Sequence, residues 1–138
     1  MAIVITNQPS ISFGDISFQD LNIIHNKMEI LLGKDGAYLD DIYFCPHHPD
    51  RGFPGEIVSL KYKCNCRKPN IGMLLQASEQ HNIDLTQSWF IGDTEKDIQT
   101  GINANVKTIH VLTGATTTPS KNATYVASNL LEAVRRII

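Results

Sequence analysis

The chain has 138 residues, 42% of them apolar and 19% charged, and a formal net charge of −2. That length is one domain's worth, and the composition excludes a disordered or collagen-like chain. No apolar run reaches the ~18–20 residues of a membrane span, the start lacks the pattern of a secretory leader, and no basic cluster invites nucleic acid or anionic lipid. The expectation is one cytosolic domain, 1–138, with neither a nucleic-acid nor a membrane partner.

Ala2-Ile3-Val4-Ile5 is short, apolar and mostly β-branched, ends in Thr6-Asn7-Gln8-Pro9, and reads as a strand buried on both faces. Ser17 followed by Asp20 forms a capping-box pattern. After it Leu21, Ile24, Met28 and Leu31 recur at helical spacing as far as Gly33. Asp41-Ile42-Tyr43-Phe44 is a second strand. A helix is expected just after Pro69, with Met73, Leu74 and Ala77 facing inward, stopping near His81-Asn82. Ser88-Trp89-Phe90-Ile91 is a third strand, cut short by Gly92-Asp93, and a helix follows over 96–103. Thr108 to Leu112 is a fourth strand, 114–119 is loop, Tyr125-Val126 is one more brief strand, and a last helix covers 130–138. Strands alternating with helices predict an α/β fold: a three-layer, Rossmann-like parallel sheet with helices on both faces.

The three cysteines, Cys45, Cys64 and Cys66, lie within 22 residues. In a reducing compartment this odd-numbered cluster reads better as metal chemistry than as disulfides. Cys45-Pro46-His47 and Cys64-Asn65-Cys66 are two ligand pairs whose union is a Cys3His set, the shell of a structural Zn²⁺. His48 is an alternative fourth ligand, and three reduced cysteines without metal is the plainer reading. The loop between the pairs contains two Pro and two Gly and little periodicity. It has little apolar surface with which to order itself, so a zinc staple over 45–66 would stabilise it.

Three polar clusters fall at strand ends or helix starts, where open α/β sheets bind ligands. Thr6-Asn7-Gln8 offers a hydroxyl and amides for a phosphoryl oxygen. Arg67-Lys68-Pro69 places two cations at a helix start, an anion clamp. Gly92-Asp93 followed by Asp97 sets two carboxylates one helical turn apart, able to hold Mg²⁺. Taken singly, these residues read equally as a turn, a solvated pair and a helix cap. In this order they supply the positioning and charge neutralisation that phosphoryl transfer needs.

Val4-Ile5-Thr6-Asn7-Gln8, Tyr43-Phe44-Cys45-Pro46-His47-His48-Pro49, Cys64-Asn65-Cys66-Arg67-Lys68-Pro69 and Ile91-Gly92-Asp93 to Asp97 together resemble the haloacid dehalogenase (HAD) superfamily of phosphohydrolases. The likeness is greatest to its heptose 1,7-bisphosphate phosphatase and histidinol-phosphatase subgroup. The resemblance implies a Mg²⁺-dependent phosphomonoester hydrolase acting through an aspartyl-phosphate on a small phosphorylated metabolite such as a heptose bisphosphate. It makes Thr6, Lys68 and Asp93 catalytic and Asn7, Arg67 and Lys68 substrate-binding. Asp93 and Asp97 become the Mg²⁺ carboxylates, and Cys45, His47, Cys64 and Cys66 the zinc ligands.

One departure is large. Family members begin with a strand ending in Asp-x-Asp-Gly-Thr, which supplies the nucleophile and the general acid, and no such segment occurs in these residues. Asp15 and Asp40-Asp41 follow no apolar strand and precede no Gly-Thr turn. The expectation is therefore a HAD-like domain missing its first, central strand: a fragment, or inactive as written, with a catalytically dead phospholigand- or partner-binding protein as the alternative. Loss of a central strand exposes backbone on its neighbours, which predicts a homodimer or strand exchange.

Overall fold

A computed structural model describes all residues from Met1 to Ile138. The chain folds into two compact units, Met1–Arg67 and Lys68–Ile138.

In the first unit, strand β1 (Ile3–Asn7) pairs in parallel with β2 (Asp41–Cys45), Ile5 opposite Tyr43 and Asn7 opposite Cys45. A single turn of helix, α1 (Ser10–Phe13), follows β1. Sequence reading missed it, because four residues carry no periodicity. Helix α2 (Phe18–Lys34) starts at the Ser17–Asp20 capping box, with both reciprocal bonds present. Its buried side differs from expectation. Leu21 is buried, but Ile24 is 50% and Leu31 48% exposed. The partly covered positions are His25, Met28 and Leu32, and the His25 ring lies 5.9 Å from Phe44 of β2. Apolar residues at 23–24 and 30–32 make the stripe broad, so spacing alone leaves its centre free to shift by one position. No helix of the chain is long and apolar enough to cross a membrane.

The second unit opens with the Lys68–Pro69 segment and helix α3 (Gly72–His81), whose Met73, Leu74 and Ala77 are buried as the spacing requires. Asn82 ends it in the left-handed conformation, φ 51°, which Asn tolerates better than most residues. Strands β3 (Trp89–Gly92), β4 (Lys107–Val111) and β5 (Tyr125–Ala127) form a parallel sheet in that order. Helices α4 (Glu95–Asn103) and α5 (Leu130–Arg135) cover it.

All of β4 after Lys107 is buried, because its two faces meet different helices. Ile109 and Val111 pack with Ala127 and with Ala133 of α5. Thr108 lies on the other face, so close to Gly101 of α4 that a Cβ there would sit 2.2 Å from its methyl. The second unit is thus the expected α/β arrangement of parallel strands with helices on both sides of the sheet. The hydrogen-bonded strands form two sheets, β1-β2 and β3-β4-β5, rather than one. β1 and β3 are edge strands, each with a strand partner on one side only.

Candidate metal centre and phosphate-site residues

In the first unit the four residues of the two Cys/His pairs meet. Their ligand atoms all lie within 4.8 Å of one another. Cys45 Sγ is 3.5 Å from Cys64 Sγ and 3.0 Å from Cys66 Sγ, and Cys64 and Cys66 are 3.3 Å apart. His47 Nδ1 is 3.6 Å from Cys45 Sγ and 3.2 Å from Cys66 Sγ. A tetrahedral ion with Zn–S near 2.3 Å requires sulfurs about 3.7 Å apart, so a small outward movement accommodates one. The donor set, three thiols and one imidazole nitrogen, suits such an ion.

Placement of these ligands follows from local structure. Cys45 is the last residue of β2 and fully buried, and Cys64 and Cys66 return beside it at the end of the loop. Burial pushes the Cys45 and Cys66 thiols up and the His47 imidazole down. A neutral imidazole is the form that ligates. His47 Nε2 is 2.7 Å from the Tyr62 hydroxyl. With Nδ1 facing the sulfurs, Nε2 carries the hydrogen and Tyr62 accepts it, the outer partner that fixes a ligating ring. Arg67 donates its amide to Cys64 Sγ at 3.4 Å and its guanidinium to the His47 carbonyl at 3.3 Å.

His48 stands apart from the cluster. Its Nδ1 accepts from the Asp50 amide at 3.2 Å and its ring packs 4.9 Å from Phe13. The fourth member of the cluster is therefore His47.

Thr6 and Asn7 end β1, both partly buried, and the Thr6 hydroxyl donates to Gln8 Oε1 at 3.4 Å. Lys68, Asp93 and Asp97 belong to the second unit. Lys68 Nζ donates to Asp97 Oδ1 at 2.6 Å, with side chains 13% and 7% exposed. Asp97 Oδ2 accepts from the Thr94 amide and hydroxyl at 3.1 and 2.6 Å. Burial by itself would raise the Asp97 carboxyl; Lys68 and Thr94 together outweigh it and hold the group below its ordinary value.

Thr94, not Asp93, is the N-cap of α4, with Asp97 as the reciprocal member of its capping box. Asp93 is thereby released from capping. Its Oδ2 accepts from the Ala115 amide at 2.6 Å, and Oδ1 accepts no hydrogen bond from the chain. Two glycines make room for these carboxylates. A Cβ on Gly92 would lie 2.2 Å from Asp97 Cβ, and one on Gly114 would lie 2.0 Å from Asp93 Oδ2.

The strand-end Gly-Asp, the Lys68–Asp97 pair and the Cys/His cluster are set in a parallel α/β scaffold, and this combination defines a class. The sequence model of the HAD-hydrolase-like family matches residues 65–133, and the chain belongs to that family.

Within it, the chain is 38% identical over 122 residues to a D-glycero-beta-D-manno-heptose-1,7-bisphosphate 7-phosphatase of Yersinia pestis, covering 88% of this chain and 63% of that protein. The Haemophilus influenzae protein of the same name is 38% identical over 98% of this chain and 72% of its own length. The chain spans less than two-thirds of the Yersinia relative. In three dimensions it resembles the D,D-heptose 1,7-bisphosphate phosphatase of B. bronchiseptica, solved with magnesium and phosphate. The TM-score is 0.79 at 26% identity, over 98% of this chain and 72% of that one.

Proposed function

We propose that these residues carry the phosphate-binding and metal-binding part of a Mg²⁺-dependent phosphomonoesterase whose substrate is a small sugar phosphate of the heptose bisphosphate type. The observation that carries this reading is Asp93: a strand-end carboxylate freed from capping, fixed through Oδ2 and open at Oδ1. Asp93 would hold Mg²⁺, which when bound neutralises charge on the phosphoryl oxygens. In the first unit Thr6 and Asn7 are donors suited to phosphoryl oxygens and Arg67 a cation suited to substrate; in the second, Lys68 balances negative charge. Asp97 supports the metal-binding carboxylate and keeps Lys68 oriented. The Cys45–His47–Cys64–Cys66 cluster holds a structural Zn²⁺, a site that needs reduced thiols and so suits the cytosol.

Aspartyl-phosphate chemistry needs a carboxylate nucleophile, and the family's Asp-x-Asp segment does not occur among these residues. These 138 residues by themselves therefore bind the phosphorylated ligand without turning it over; turnover requires a carboxylate from another chain or segment. The exposed apolar residues of α2 support self-association.

The test is phosphate release from a panel of sugar phosphates with Mg²⁺, beside an Asp93→Asn control. No release is expected from the 138 residues alone. Release that disappears in the control would place a nucleophile within them and overturn the binding-only reading.

A further inference from the structure

The loop between β4 and β5 has a buried anchor that none of the roles above uses. His110 in β4 is 1% exposed. It borders a cavity of about 360 Å³ shared with Glu95, Thr116, Ser120 and Asn122 among others. Its Nδ1 accepts the Ser120 amide at 2.9 Å, so in the neutral ring the hydrogen is on Nε2. Nε2 is 3.1 Å from Thr116 Oγ1. Thr116 has one hydroxyl hydrogen and donates it to the Asp93 carbonyl. Its oxygen must therefore accept from Nε2–H, and the direction of the relay is fixed: His110 to Thr116 to Asp93.

Both ends of segment 116–120 thus hang on one buried ring. The residues just before it are those that hold Asp93. Ala115 supplies the amide donor to Oδ2, and Gly114 lies against the carboxylate with no room for a Cβ. All the donors to Asp93 named here come from this loop, and none from α4.

We propose that His110, in its Nε2–H form, is a positioning residue that acts through Thr116 to hold Asp93 with Oδ1 presented for a divalent cation. The cation is taken from the proposed function of Asp93; the positioning is a property of the metal-free chain and is tested without metal.

The first measurement is the Ala115 amide in the NMR spectrum of the whole chain. A short bond to a carboxylate moves it downfield and protects it from exchange. Thr116→Val, at an exposed position, is expected to lose that shift and protection with the fold intact, and Thr116→Ser to retain both. His110→Leu should behave as Thr116→Val, whereas His110→Gln, which keeps an amide donor, should recover part of the effect. An unchanged Ala115 amide in a folded Thr116→Val overturns the proposal.

The second measurement is Mn²⁺ binding followed by electron paramagnetic resonance. Loss of an outer partner of a metal ligand weakens affinity roughly 10- to 100-fold, so Thr116→Val should fall in that range, Thr116→Ser near wild type, and Asp93→Asn should not bind. Equal Mn²⁺ affinity in wild type and Thr116→Val would overturn the proposal. If wild type binds no Mn²⁺ while the Ala115 result holds, the reading of Asp93 as a cation ligand falls and the positioning stands.

Discussion

Lys68 and Lys61 are both largely withdrawn from water, yet they answer to different physics. Lys68 is bonded to Asp97 at 2.6 Å. Removing one partner of a buried pair leaves the other charged and uncompensated. Lys68→Met should therefore destabilise the fold by about 3 kcal/mol, read by urea unfolding at neutral pH. The pair also sets a pH dependence. Because Asp97 titrates below its ordinary value of 3.8 when folded, the stability it contributes is present above that value and is lost as pH falls through the folded one. That acid-sensitive component should be smaller in Lys68→Met, where only Thr94 still lowers Asp97. Equal acid sensitivity in the two proteins would mean that Asp97 is not held by Lys68. The helical spacing of Asp93 and Asp97 was legible in the sequence, but the partner of Asp97 was not, because Lys68 is 29 residues away and nothing local announces the pairing.

At the scale of elements the loop over 46–63 has two independent fastenings. One is the Cys3His cluster. Cys64→Ser should lose bound zinc by elemental analysis and open the loop to proteolysis; full zinc content would refute the four-ligand assignment. The other fastening is Lys61, fully buried, whose ammonium makes no hydrogen bond. It lies 3.4 Å from the centroid of Phe13 and 5.0 Å from that of Phe53, with Glu56 at 3.7 Å. Arg51 caps the Lys61 carbonyl with two donors at 3.1 and 2.9 Å. Here Lys61→Met keeps much of the packing but takes the cation from Glu56, so it should be destabilised less than Lys61→Ala, which also leaves a cavity. A thermal melt in which Met costs as much as Ala would show that the charge, not the volume, holds the loop.

The same scale explains what could be read in advance. The Ser17–Asp20 capping box and the C-terminal Asn82 are local patterns, so helix boundaries fell within a residue or two for α2 and α3; the Thr94–Asp97 box of α4 was not foreseen, capping there having been assigned to Asp93. Cys45, His47, Cys64 and Cys66 were legible because metal ligands have few other uses at such spacing. Tyr62, Lys61 and His110 were not. Each owes its role to neighbours brought by the fold, and a lone Tyr, Lys or His in sequence carries no mark of it. The buried side of α2 was missed for a related reason, since a broad apolar stripe does not say which part of itself will be covered.

For the molecule as a whole, the exposed features bear on association. Helix α2 leaves Phe18, Ile23, Ile24, Ile30 and Leu31 about half exposed or more. Apolar surface of this kind favours assembly. Sedimentation of the 15.4 kDa chain is expected to show a heavier species; a stable monomer would refute self-association while leaving the ligand-binding reading untouched.

That reading is tested most directly by titration calorimetry with heptose 1,7-bisphosphate, with and without Mg²⁺, on the wild-type chain and on Asp93→Asn. The account predicts binding that requires Mg²⁺ and disappears in the variant. Absence of binding under both conditions, or binding that Asp93→Asn leaves unchanged, would contradict it.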